Sequence, residues 1–422
     1  MPNPRFQNLI PHHSPAFPAL LITLTLVSCS GESAVPEGHT FRTETGEDGV
    51  PTAITSMVPK YDVPLLTFVE EVRLHQDEDR PESLLHQAFQ YERGPDGNYY
   101  VMDRGNGRIA VFGPDGEFVR SFGREGDGPG EFRSPMLQSV DEQGVILYDS
   151  RSRRVIHFSL GGELLGTYSN LKVSGSTVRM TLDGDCLVLM SIQSERRPDL
   201  SRNTWYLMTV VTTAGDTIGS VASGRSFQPA PVRIEGGPMI ILQIHYGALA
   251  MLAHYPGTGI LAEDGSKPEF SLYDLRGHLL KRFRMEMESR PVTEADREVV
   301  LADYRRRLEE EKDETSQRLL RLEMEHALFA DRMPYYQSVG MDGFGYFWVY
   351  PPGDLFTADA MAPVRVMLLS PEGEYLGDVE MPPGIAGGSH PYLCTRLENP
   401  ETGDYDYIVY QLTSAVPGFT YP

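Results

Sequence analysis

Residues 94–132 read GPDGNYYVMDRGNGRIAVFGPDGEFVRSFGREGDGPGEF, and this stretch constrains the fold more than any other. Tyr99 to Met102 is a short aromatic and β-branched run that follows the turn Pro95-Asp96-Gly97-Asn98. Arg104-Gly105-Asn106-Gly107 supplies residues that tolerate positive φ, as a tight hairpin requires. Arg108 to Phe112 is the returning strand, and Pro114-Asp115-Gly116 turns the chain into Glu117 to Phe122, whose alternation marks a half-buried outer strand. Three antiparallel strands in under forty residues make a β-meander. The glycine-rich segment from Gly123 to Phe132 reads as the linker to a next unit.

Further units follow. Asp141 to Leu165 repeats the pattern, and looser copies run from Leu182 to Ile218 and from Tyr246 to Leu280. A clear copy returns from Met341 to Leu376. The glycines of the last turn in each copy stand at Gly116, Gly162, Gly215, Gly277 and Gly373. Their spacing is close to the roughly 40–50 residues of a four-stranded propeller blade, once an insertion before the fifth copy is removed. Past His390 the chain offers only two strands, Tyr392 to Leu397 and Tyr405 to Leu412, too few for a blade. Leu65 to Leu74 is an unassigned strand upstream of the first copy. Joining the two ends completes a sixth blade and removes a sheet edge that would template aggregation. The expected architecture is all-β: a six-bladed β-propeller over residues 61–422 whose N-terminal strand completes the last blade.

The segment from Asp96 to Phe132 resembles an NHL repeat, with matches at Asp103, Asn106, Arg108, Ile109, Val111, Phe112 and Gly123. The chain as a whole is similar to bacterial NHL-like six-bladed β-propeller lipoproteins. The specific motif weakens after Leu165, where the turns persist but the Asp-x-x-Asn-x-Arg core does not. The resemblance implies the fold over nearly the whole mature chain. It leaves function open among RNA binding, protein interaction, sensing and lyase chemistry, because fold alone does not choose.

Residues 1–28 contain one Arg, no acidic residue and an apolar run from Ala16 to Val27, the pattern of a bacterial signal peptide. The segment ends Leu26-Val27-Ser28-Cys29, which resembles a lipobox and makes Cys29 the expected lipidation site. Ser30 in place of Asp favours outer-membrane sorting, with the protein facing the periplasm or the cell surface. Residues 29–60 are expected to be a polar tether holding at most one hairpin. Acidic residues number 59 against 37 basic ones, for a formal charge of −22. Such a surface repels phosphate backbones, so nucleic acid is excluded as a partner. Cys186 and Cys394 lie in strand-like runs and read as buried free thiols.

Between the fourth and fifth copies the period changes to helical over residues 292–333, with a capping pattern at Thr293 to Asp296. This insertion is either packed on the ring or forms a lid over one mouth of the central channel. No catalytic, cofactor-binding or metal-binding residue is assigned. His157, His245, His254 and His278 occupy non-equivalent positions, and Asp96, Asp103, Asp141, Asp149, Asp183 and Asp342 recur at turns, where they bond their own backbone. No Gly-x-Ser-x-Gly elbow or phosphate loop is present. The expected function is a non-enzymatic cell-envelope scaffold binding a protein, peptide or glycan, touching the membrane through its lipid alone. Tyr335, Tyr336 and Tyr350 are its candidate ligand-facing residues. The alternative is a metal-dependent hydrolase or lyase, lactonase-like or peptidyl-hydroxyglycine-lyase-like, with zinc or calcium in the channel.

Overall fold

The middle strands of each repeat are apolar on both faces, which a two-layer sandwich would not require. In Tyr99–Asp103 and Gly144–Asp149 every residue is buried, and Arg108–Phe112 is nearly as closed. A strand buried on both faces needs a packed neighbour on each side. The computed structural model supplies those neighbours; it describes residues 35–169, 176–196, 202–224, 230–233, 239–242, 244–352, 364–382, 385–387, 391–398 and 405–422. The expectations for the signal peptide (1–28) and for Cys29 lie outside the described residues.

Six four-stranded antiparallel blades follow one another along the chain. Blade 1 comprises Ala88–Arg93, Tyr99–Asp103, Arg108–Phe112 and Phe118–Phe122. Blade 2 comprises Pro135–Asp141, Gly144–Asp149, Arg154–Phe158 and Leu164–Tyr168. Blade 3 comprises Ser176–Asp183, Cys186–Arg196, Arg202–Thr212 and Thr217–Ala222. Ala250–Tyr255, Gly259–Asp264, Glu269–Tyr273 and Leu279–Glu286 form blade 4, and Ser338–Met341, Phe347–Tyr350, Val364–Leu369 and Tyr375–Met381 form blade 5. Blade 6 takes Ile385–Gly387, Tyr392–Glu398 and Tyr405–Ser414 from the C-terminus and Leu66–Arg73 from the N-terminus. Leu66 pairs with Ser414 and Arg73 with Ile408, so the ring closes as expected from the two unpaired ends.

The core is divided among the joints of the ring. Tyr100, Met102 and Val111 of blade 1 pack on Val145, Leu147 and Ile156 of blade 2. Their alternating neighbours Tyr99 and Val101 face the other way, onto Cys394, Tyr407 and Val409 of blade 6. Corresponding apolar clusters fill the joints between blades 2 and 3, 3 and 4, 4 and 5, and 5 and 6. Burial of this apolar surface, at about 25 cal/mol per Å², is the main force holding neighbouring blades together. Cys186 and Cys394 are free thiols; Cys394 is buried in the joint between blades 6 and 1, and burial pushes its pKa up.

The repeat glycines serve the turns as expected. Gly116 has φ +81° and Gly373 φ +96°, and the other three of the series are also positive. At Gly373 a Cβ would in addition lie 2.6 Å from Phe283 of blade 4.

One feature departs from the sequence expectation. Residues 41–56, assigned to the tether, form the hairpin Phe41–Thr45 and Pro51–Ser56, whose second strand pairs in parallel with Leu279–Glu286 and extends blade 4 to six strands. Ala53 and Ile54 are buried there, so propeller structure begins well before residue 61. The chain then crosses blade 5, where Lys60 N donates to Tyr375 O and Tyr61 N to Leu376 O, before entering blade 6. One N-terminal strap thus spans three blades. The insertion is helical, as its period indicates: α1 (Glu294–Glu310) and α2 (Glu314–Glu325), with a capping box between Thr293 and Asp296. They enclose a small core of Val300, Tyr304 and Leu320 with Tyr246 and Met333. Among the described residues no helix is long and apolar enough to cross a membrane.

Candidate functional site

Inner strands carry the chemistry of a propeller because one of their edges borders the axis and has no strand partner. Several of those free edges are closed here by side chains from the preceding blade. Gln90 of blade 1 holds Leu137 of blade 2 through both of its amide atoms: Leu137 N donates to Oε1 (2.8 Å) and Nε2 donates to Leu137 O (3.0 Å). In blade 5, Met341 N donates to Tyr255 Oη (2.8 Å) and Val339 N donates to Glu263 Oε2, both acceptors coming from blade 4. Glu263 is buried, and burial pushes its carboxyl up to about 7 against the opposing hydrogen bond from Val339.

Four inner strands also contain a β-bulge, between Ala88 and Gln90, Leu137 and Ser139, Thr177 and Arg179, and Ile385 and Gly387. A bulge turns the side chains beside it out of the pleat. In blade 2 the bulged residue is Gln138, and in blade 3 Arg179 directly follows the bulge. Arg179 Nε donates to Gln138 Oε1 at 2.5 Å. Arg179 is exposed to water, and partial loss of hydration lowers its pKa, while Tyr255 and Glu92 oppose the shift. Glu92, Gln138 and Tyr255 belong to the inner strands of blades 1, 2 and 4, so a blade 3 side chain that senses all three stands at the axis.

Beside Arg179 opens a small cleft of about 40 Å³. Val188, Met190, Met208 and Leu252 give it an apolar wall, and Gln138, Arg179, Thr181 and His254 are its polar members. His254 Nε2 lies 2.9 Å from Asp183 Oδ2, a bond that ties blade 4 to blade 3 and holds the Asp183 carboxyl below its usual range. Pro256, in the turn after the inner strand of blade 4, places the cleft toward the face where inner strands end. The α1–α2 insertion joins the last strand of blade 4 to the first of blade 5 and is therefore rooted on the opposite face. It does not cap this cleft.

Of the three tyrosines expected to face a ligand, Tyr336 is buried, and Tyr335 and Tyr350 are half-buried at blade joints. Tyr336 is 1% exposed; its hydroxyl donates to Glu269 O and accepts from Asp264 N, fastening the entry of blade 5 to blade 4. Tyr335 is half-buried against the same joint, with its N donating to Gly265 O. Tyr350 is half-buried against the joint of blades 5 and 6, and burial pushes its pKa up. Their rings follow Pro334 or precede Pro351, which resembles an exposed loop in sequence, yet blade joints consume aromatic area wherever it lies beside a strand.

The recurring aspartates close turns and crossovers. Asp103 is fully buried; it accepts from His86 N (2.8 Å), Asn106 Nδ2 (2.8 Å) and Arg108 Nε (2.9 Å), while Arg108 Nη2 donates to Leu84 O. The Asp-x-x-Asn-x-Arg motif therefore pins the segment entering blade 1, and Asp149 does the same for Ser134 at blade 2. Among the histidines, His245 packs against Tyr304 and Phe329, His157 bonds Gln143 O and His278 bonds Asp274. Among the described residues no group of three or more His, Cys, Asp or Glu could hold a metal ion. Sequence reasoning missed Arg179 and Gln138. The available signal was an arginine inside the otherwise strand-forming run Ser176-Thr-Val-Arg-Met-Thr-Leu182.

A family model described as a 6-bladed beta-propeller matches residues 92–214. No curated protein matches the chain. Similar solved structures include a Bacteroides fragilis protein described as exported, at 12% identity and TM-score 0.47, covering 86% of this chain and 100% of that one. A member of the duf4221 family from Bacteroides vulgatus, also at 12% identity and TM-score 0.47, covers 83% and 99%. Virginiamycin B lyase from Staphylococcus aureus aligns at 9% identity and TM-score 0.34, over 82% and 98%. With its six sheets in ring order and its match to that family over residues 92–214, the chain is a six-bladed β-propeller.

Proposed function

We propose that this protein is an exported ring, lipid-anchored in the cell envelope through Cys29, that binds a ligand in its channel cleft without transforming it. The observation that carries the proposal is the cleft itself: a concave site with an apolar wall and a few convergent polar groups, which is the usual make-up of a ligand pocket. The residues 1–28 and Cys29 pattern supports the address. Partners reach the ring as proteins, peptides or glycans within the envelope.

A hydrolase or lyase is the second reading, favoured by one observation: His254, paired with Asp183, borders the same cleft. Two measurements separate the readings. Ligands captured by the purified mature protein and recovered after prolonged incubation should be chemically unchanged, whereas conversion that disappears in His254→Gln establishes catalysis. For the address, Cys29→Ala should move the protein from the membrane fraction to the soluble fraction and abolish its labelling by palmitate. Membrane retention of that variant removes the lipid anchor from the account.

A further inference from the structure

We infer that the cleft selects a carboxylate joined to an apolar body, with Arg179 as the anchor for the charge and Gln138 as the residue that orients it. This inference rests on the reading of the cleft as a ligand site and adds the chemical class of the ligand.

The argument begins with charge. The chain carries 22 more acidic than basic side chains, yet a guanidinium projects to the axis beside the cleft, with Glu92 as the acidic group that acts on it. Among the described residues no carboxylate makes an ion pair with Arg179; its hydrogen-bond partner is the neutral Gln138 amide. Partial loss of hydration lowers the Arg179 pKa although Tyr255 and Glu92 pull the other way, so a bound anion in hydrogen-bond contact would offset that loss. Carboxylate fits the guanidinium fork because two parallel N–H donors meet two oxygens. Gln138 occupies Nε, which fixes the plane of the guanidinium and leaves its terminal nitrogens for a ligand.

The body of the ligand follows from the wall. Val188, Met190, Met208 and Leu252 line the cleft on one side of this cation, and methionines adapt to varied apolar shapes. Thr181 and His254 add two polar groups. A small monoanion suits the site better than a bulky polyanion, because repulsion by the chain's net negative charge grows with the charge of the ligand. Two sources carry this chemistry: a peptide C-terminus ending in an apolar residue, and a free fatty or aryl acid.

The test is calorimetric titration of the mature protein with acetylated glycyl-leucine, its C-terminal amide, and octanoate. Both acids are expected to bind, and the amide should bind on the order of tenfold to a hundredfold more weakly, the range for losing a charged hydrogen bond. Arg179→Gln should lower the acid to the level of the amide. Arg179→Lys, which retains charge without the fork, should recover part of the difference, and Gln138→Ala should give an intermediate loss. Circular dichroism and the melting temperature of each variant report whether folding is intact. Preference for the leucyl acid over octanoate identifies a peptide C-terminus, and the reverse order a free acid. Equal binding of acid and amide, unchanged binding by Arg179→Gln in a folded protein, or failure of both acids to bind overturns the inference. The cleft reading stands or falls separately: neutral apolar fragments that shift the methyl resonances of Met190 and Met208 preserve it, and fragments that leave them unmoved do not.

Discussion

Glu263 is the residue with the clearest consequence for pH. Its carboxyl is buried in the joint of blades 4 and 5, titrates near 7, and accepts from Val339 N. The unfolded chain releases this proton near the ordinary value of 4.5, so between about pH 4.5 and 7 the folded state binds more protons than the unfolded state. Stability from this group is therefore complete below pH 4.5, declines as pH rises, and is gone above 7. A shift of this size corresponds to about 3 kcal/mol. Glu263→Gln retains a carbonyl acceptor for Val339 and removes the proton. The variant should be more stable than the native protein at pH 8, and the gap should close toward pH 5; parallel urea-denaturation midpoints across that range would count against the assignment. The residue scale is also where sequence reasoning was weakest. Asp103, Asn106 and Arg108 were recognisable because their bonds to one another, and to the crossover at Leu84 and His86, span few positions. Tyr336 and Arg179 were not, because what surrounds them comes from other blades, as the Tyr336 bonds to Asp264 and Glu269 illustrate.

At the scale of elements, the N-terminal strap has the largest leverage per residue. Thr55 Oγ1 accepts from Tyr375 N at 2.9 Å in a buried setting, linking the strand Pro51–Ser56 to the outer strand of blade 5. Thr55→Val keeps the shape and removes the acceptor, leaving a buried N–H unpaired, which costs about 1–3 kcal/mol. Thr55→Ser should recover most of it; equal stability of all three proteins would show that the link contributes nothing. The strap was half legible. Leu66–Arg73 was identifiable as a strand because the sixth blade lacked one. A hairpin in the tether was allowed for, but its docking on blade 4 was not legible, since Phe-Arg-Thr-Glu-Thr is too polar to suggest a sheet and its placement depends on the free edge of Leu279–Glu286. Inner strands were equally obscure: Ala88–Arg93 reads Ala-Phe-Gln-Tyr-Glu-Arg, without clean alternation, because it meets the polar channel on one side and packed blades on the other.

For the whole molecule, stability is a property of the closed ring. Each blade buries both faces against neighbours, so no blade has a complete core of its own, and opening one joint exposes apolar surface on two blades. Removal of residues 35–74 takes the outer strand from blade 6 and the strap from blades 4 and 5. That truncated chain should lose its single cooperative thermal transition and aggregate through the exposed edge of Tyr405–Ser414. Adding a peptide of residues 58–74 should restore part of the transition. A truncated protein that melts like the intact one would mean that ring closure contributes little to stability.

The repeat, its blade length and the leftover strands at both ends were enough to establish a six-bladed ring from sequence alone, because turn chemistry and two-faced apolar strands are local signals that recur. The positions of Arg179, Gln138, His254 and Asp183 around one cleft, the burial of Tyr336, and the reach of the strap over three blades were decided by the tertiary structure. Each depends on which blades become neighbours around the axis. That arrangement is set by packing and hydrogen bonding between residues far apart in the chain, such as Thr55 and Tyr375, which stand 320 positions from each other and which no local pattern links.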